Sequence, residues 1–155
     1  MSNPFWEFSL AHYELDDVPQ ACLALQDEFG LDVNLLLYAA WLAGMDRCLT
    51  LEHLKDMDAT IAPWRTRIVQ PLRALRRQWR NYPAASGIRK EIKKLELDSE
   101  RQQQDMMLAH YHSVAELPPA ARPLQENLAV VARFFCDDKG DWNPAVQRLV
   151  VKLNR

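Results

Sequence analysis

The chain has 155 residues, 48% of them apolar and 26% charged, with a formal net charge of −2. That length fits one domain, residues 1–155, burying roughly two thirds of its unfolded surface, and four glycines with almost no β-branched runs argue against a sheet protein. Charge is segregated: residues 1–64 hold eleven acidic and two basic side chains, residues 65–94 ten basic and one acidic, and residues 95–155 seven basic and nine acidic, which speaks of partners or internal pairing rather than of fold.

Asn3 followed by Pro4 at the first helical position predicts a short aromatic helix, FWEFSLAHY, with Phe5, Phe8 and Tyr13 inward and Trp6 near the rim. Asp17 is placed to cap a second helix with Pro19 in its first turn. Cys22, Leu25 and Phe29 recur there at helical spacing, and Gly30 suits the left-handed position that ends it. Asp32 is placed to cap a third helix, from 33 to about 45, which is apolar nearly all round and so predicts the buried centre of the domain. Thr50 opens a fourth, LEHLKDMDA, with Leu51, Leu54 and Met57 as its buried stripe. A longer helix over about 63–79 carries Trp64, Ile68, Leu72, Leu75 and Trp79 at spacings of four, four, three and four, and Pro71 within it predicts a kink.

NYPAASG then breaks the chain. A polar helix of about 25 residues follows, IRKEIKKLELDSERQQQDMMLAHYH, supported by pairs such as Lys94–Asp98 and Arg101–Asp105. Ile88, Ile92 and Leu95 begin a heptad-like seam along it, interrupted at Ser99 and Gln102, which leaves open a homodimer through this helix. ELPPAARP is a loop, and residues 124–135 and 144–153 form two last helices, the second capped by Asn143. The expected fold is therefore all-α: one compact domain of about seven helices, with a buried third helix and one long polar helix.

The stretch LQDEFGLDVNLLLYAAWL sets Asp27, Glu28, Asp32 and Asn34 beside an apolar run. A calcium loop needs alternating carboxylates and a terminal bidentate Glu, and a magnesium–diphosphate site needs aspartates along one helix face. Here the helix break separates Asp27 from Asp32, so the corner reads mainly as caps, with Asp27, Asp32 and Asn34 as its polar candidates and an all-helical enzyme as a third-ranked reading. DDKGDWNP offers Asp137, Asp141 and Asn143 as calcium-loop oxygens but lacks the downstream Glu, and reads as a helix connection. MMLAHYH puts Met106, Met107, His110 and His112 close together, yet the two histidines, two apart, point in different directions on a helix. His12 and His53 are isolated. No glycine-rich phosphate loop and no zinc-hydrolase motif occurs, and neither a cofactor nor a metal is expected.

The strongest candidate is the basic helix WRTRIVQPLRALRRQWR. Arg65, Arg73, Arg76, Arg77 and Arg80, continued by Arg89, Lys90, Lys93 and Lys94, form a basic stripe that would attract an acidic protein face or phosphates. The expected role is that of a small regulatory or adaptor protein with a protein partner. Nucleic-acid binding through the same stripe is the alternative, and an Arg76→Glu, Arg77→Glu variant is expected to lose either partner. Three cysteines without CxxC or CxxH spacing read as thiols of a reducing compartment. MSNPFWEF has no basic segment followed by an apolar run, and the longest apolar run, 35–44, is half a bilayer span, so a cytoplasmic chain without a membrane segment is expected.

FWEFSLAHY, ACLALQDEFGLDVNLLLYAAWLAG and PWRTRIVQPLRALRRQWR resemble the blocks of a proteobacterial family of uncharacterised proteins, a domain of unknown function. The resemblance spans about the first 110 residues and is most specific in the block around LQDEFGLDVNLLL. It implies a bacterial cytoplasmic protein and supplies no activity, cofactor or catalytic residue.

Overall fold

The computed structural model describes residues 2–15, 17–121, 123–136 and 140–154. The fold is all-α: α1 (Pro4–Tyr13), α2 (Val18–Phe29), α3 (Val33–Gly44), α4 (Leu51–Trp64), α5 (Gln70–Gln78), α6 (Ser86–Ser113), α7 (Pro123–Cys136) and α8 (Asn143–Leu153). Among the described residues the only β pairing is an isolated bridge between Arg47 and Pro119. The chain forms two compact units, the first from Met1–Lys55 and Ala115–Arg155, the second from Asp56–Val114, so the boundary falls inside α4.

In the first unit α3 is the centre, because every residue from Asn34 to Ala43 is buried and no side of the helix is left for water. Helices α1, α2 and α7 pack on it, and α8 packs on α2 and α7. Asn3 caps α1 by accepting from the Trp6 N–H at 2.9 Å, and Asp32 caps α3 by accepting from the Asn34 N–H at 2.8 Å. Gly30, at φ 71°, ends α2 in the left-handed conformation that a side chain would disfavour. Phe5 is buried as expected, whereas Phe8, Tyr13 and Phe29 are only half-buried.

Two expected caps are not formed. Asp17 adopts φ 68°, where its carboxylate does not reach the first-turn amides, and it pairs instead with Lys152 at 3.1 Å. Asn143 is the first residue inside α8, and the Asp141 carboxylate accepts its N–H at 3.1 Å. Asp137, part of the same connection, lies outside the described residues.

Sequence pattern does not anticipate Asn127 on α7. Fully buried, it accepts from the Leu49 N–H at 2.8 Å and donates to the carbonyls of Ala39 at 3.2 Å and Arg47 at 2.9 Å. One side chain thus satisfies the backbone where the chain turns out of α3. The same turn is held by Cys48 N–H to Pro118 C=O at 2.8 Å, and by Arg47, which pairs with Glu116 and donates to Leu117 C=O at 2.9 Å. Burial pushes the Cys22 thiol in α2 up to about 12.

The second unit differs from the expected pattern at three points. Helix α4 runs through Pro63 to Trp64 rather than ending near Ala59. Its stripe is Leu54, Met57 and Ile61, all buried, while Leu51 is half exposed and lies where the Thr50 hydroxyl caps the helix by accepting from His53 N–H at 3.1 Å. Between α4 and α5 the helix widens into a π segment, Arg65–Val69, closed by Gln70 N–H to Arg65 C=O. The extra residue in that turn moves the inward position from four to five after Trp64, so Val69 is 2% exposed and Ile68 37%. Pro71, which lacks an N–H and crowds the carbonyl four residues back, follows directly on the widened turn. Finally, α6 has 28 residues, about 42 Å long. It is polar as expected, yet its buried positions are Glu96, Ser99, Gln103, Gln104 and Met107, while Ile88 and Leu95 of the heptad-like seam are exposed.

Candidate functional site: the basic hairpin

The polar face that α6 buries is explained by what it meets. Helices α5 and α6 pack against each other, joined by two short 3₁₀ turns, Trp79–Asn81 and Pro83–Ala85. The arginines of α5 occupy positions 73, 76 and 77, with Arg80 following in the first 3₁₀ turn, and Glu96 and Glu100 are one turn apart on α6. Arg73 donates to Glu96 at 3.2 Å and to Glu100 at 3.0 Å; Arg76 donates to Glu96 through Nε and, at 3.3 Å, through its terminal nitrogen. Burial works to lower the pKa of Arg73, but the charges and hydrogen bonds of Glu100 and Glu96 outweigh it, so the guanidinium is held above its ordinary value. Arg89 donates to Arg76 C=O at 2.8 Å, Trp64 donates its indole N–H to Ser99 C=O at 2.9 Å, and Arg65 pairs with Asp58 at 2.6 Å.

The basic stripe is therefore divided. Arg73 and Arg76 clamp Glu96, whose side chain is only 8% exposed, and serve the inside of the hairpin. Arg77, Arg80, Lys90, Lys93 and Lys94 are exposed, and Arg89 is half-buried. Lys90, Lys93, Lys94 and Leu97 fall at i, i+3, i+4 and i+7 of α6, along one flank of its buried face, and Leu97 is about half exposed. At the bend, two residues after Arg80, Tyr82 is 68% exposed. The second unit carries eleven basic and seven acidic side chains against eight and fourteen in the first, balances of +4 and −6. This arrangement offers exposed cations around isolated apolar side chains on a rigid helix, which suits recognition of an acidic surface.

The signal for Glu96 and Glu100 lay in their four-residue spacing on the next helix, but only packing decides which charges they face. Tyr82 sat within a segment read as a chain break.

The other candidates are not drawn into one site. Asp32 is a cap, Asn34 is the residue whose amide it holds, and Asp27 is exposed on the preceding helix. His53 is buried in an aromatic cluster, its Nε2 2.7 Å from the Tyr38 hydroxyl, with the two rings stacked. His12 Nδ1 donates to Phe8 C=O at 2.9 Å. Met107 is buried while His112 is exposed, so that group has no common face. Among the described residues no three His, Cys, Asp or Glu side chains converge as metal ligands, and no helix is long and apolar enough to cross a membrane. A cavity of about 170 Å³ in the first unit is lined by His12 and Asn154 among apolar residues such as Phe8, Ala40 and Leu124.

No curated protein and no solved structure matches the chain. Residues 4–107, which run from α1 into the last turns of α6, match the model of a protein family of unknown function, and the chain belongs to that family, DUF2390.

Proposed function

We propose that this chain is a small cytoplasmic binding protein of the regulatory or adaptor kind, which engages an acidic protein surface through the exposed basic side of the α5–α6 hairpin. The observation that carries this reading is the division of the stripe. Arg73 and Arg76 are spent on Glu96 and Glu100, while Arg80, Lys90, Lys93 and Lys94 stay exposed together with Leu97 and Tyr82. Aliphatic groups among the cations favour a protein partner over a phosphate backbone, which gains nothing from Leu97. The exposed Tyr82 ring, two residues after Arg80, supports the second reading, single-stranded nucleic acid stacked on the bend.

The division also changes which variant tests the idea. Arg76→Glu would set a carboxylate against Glu96 and unfold the hairpin, so its loss of binding would be uninformative. Lys90→Glu, Lys93→Glu, Lys94→Glu alters only exposed positions. Wild type and this variant are compared by affinity capture from lysate, with and without nuclease, and captured proteins are re-bound in purified form. A direct protein partner lost in the variant supports the reading. Capture that disappears with nuclease supports nucleic acid instead, and equal capture by both proteins rules out this surface.

A further inference from the structure

Phe8 has the spacing of an inward residue yet is only half-buried, and so are Leu124 on α7 and Leu153 at the end of α8. All three line the cavity of the first unit, which measures about 170 Å³ and is partly open to solvent. The reason for the gap lies on α3. Ala40, Ala43 and Gly44 fall at i, i+3 and i+4, so they share one side of that helix and reach no further than Cβ, whereas Tyr38, Trp41 and Leu42 lie on its other sides. A Cβ added at Gly44 would meet nothing within 4 Å, so room remains at the helix end as well.

His12 gives this apolar space a polar group. Its ring stacks on that of Phe8, with centroids 3.9 Å apart, and Nδ1 lies 2.9 Å from the Phe8 carbonyl. A carbonyl only accepts, so the neutral imidazole carries its proton on Nδ1, and Nε2, across the ring from that bond, is an acceptor. A small apolar space with an aromatic wall and one acceptor suits a planar ring that carries one donor.

We propose that this cavity binds a small neutral aromatic molecule of the phenol class, its ring over Ala40, Ala43 and Gly44 beside Phe8 and its hydroxyl donating to His12 Nε2. The site is independent of the basic hairpin and of any partner bound there. An engineered apolar cavity of about 150 Å³ holds one benzene, so about 170 Å³ has room for a single ring with its hydroxyl. Because the cavity is partly open, the ligand enters without unfolding the helices around it.

Phenol and, separately, toluene titrated into the full chain labelled with ¹⁵N, followed by amide chemical shifts, test this. Phenol is expected to saturate with a Kd of about 1 mM or tighter, with the largest shifts at His12, Ala43 and Gly44. Gly44→Leu puts a side chain into the vacant room at a residue whose backbone is not left-handed, so it should fold like wild type and bind phenol roughly tenfold or more weakly. His12→Phe keeps a ring and removes the acceptor, so phenol should lose about fivefold while toluene stays within about twofold. In the wild-type chain alone, phenol that does not saturate well above that concentration, or shifts centred away from the cavity wall, overturn the proposal. A folded Gly44→Leu variant that binds phenol as tightly as wild type overturns it too. Equal loss of phenol and toluene in His12→Phe overturns the hydrogen bond to Nε2 and with it the choice of a phenol.

Discussion

Asn127 offers the sharpest test of how the first unit is held together. Its amide is fully buried and satisfies one backbone donor, Leu49 N–H, and two acceptors, the carbonyls of Ala39 and Arg47. Asn127→Ala leaves that N–H without its acceptor, at about 1–3 kcal/mol, and removes the only donors the side chain gave to two carbonyls, which suffer less because each keeps a second lone pair. The expected total is about 3 kcal/mol, which for a chain of this size lowers Tm by about 6–12 °C. Asn127→Asp separates hydrogen bonding from packing. It keeps the acceptor for Leu49 but aims a negative charge at two carbonyl oxygens, so at neutral pH it is expected to be less stable than the alanine variant. The fold favours the protonated carboxyl, which can donate to a carbonyl, so the folded pKa of the new group is raised above its unfolded value of about 3.9. A raised pKa gives stability that is present below the unfolded value and lost as pH rises through the folded one, so the deficit of the aspartate variant shrinks toward about pH 4. Urea unfolding followed by circular dichroism at neutral and acidic pH measures both effects. An alanine variant within about 0.5 kcal/mol of wild type, or an aspartate variant no worse than alanine at neutral pH, would refute the three-bond account.

Three further outcomes are expected. Val69→Ala should cost about 2 kcal/mol in urea unfolding and Ile68→Ala well under half of that; the reverse order would mean that the π segment does not set the register. Glu96→Gln leaves two guanidinium groups facing a neutral amide and should destabilise by about 2–3 kcal/mol, since Glu100 still holds Arg73, whereas Lys90→Glu, Lys93→Glu, Lys94→Glu should leave the melting curve within about 0.5 kcal/mol of wild type. The Cys22 thiol, raised from 9.0 to about 12, contributes stability that is complete below about pH 9 and lost as pH rises toward 12; the loss reaches about 4 kcal/mol, and native Cys22 should resist a thiol reagent at mildly alkaline pH while the same residue reacts in urea. Rapid modification of native Cys22 would contradict its burial.

Much of this protein follows from local rules. Periodicity and punctuation placed the helices because Asn3, Gly30, Asp32 and Thr50 act on amides and backbone angles within a few residues of themselves, and α3 read as the centre because a helix apolar on every side has no face to offer water. The polar character of α6 was equally plain. Where one sequence feature competed with another, local reading failed. Asp17 was a suitable cap by type but took a left-handed backbone and a distant lysine, and the spacing after Trp64 assumed four residues per step where the chain uses five.

The candidate site shows the division most clearly. That the chain holds a concentrated basic stripe between acidic segments is a matter of sequence, because charge is a property of each residue wherever it lies. Which arginines are available is not, since it depends on the approach of α5 to α6, which turns Glu96 and Glu100 toward Arg73 and Arg76 and leaves the lysines outside. Asn127 is of the same kind: nothing near it in sequence marks it, because all three backbone groups that it satisfies lie some 80 residues earlier in the chain. Contacts of that separation are created by packing, and only the folded chain displays them.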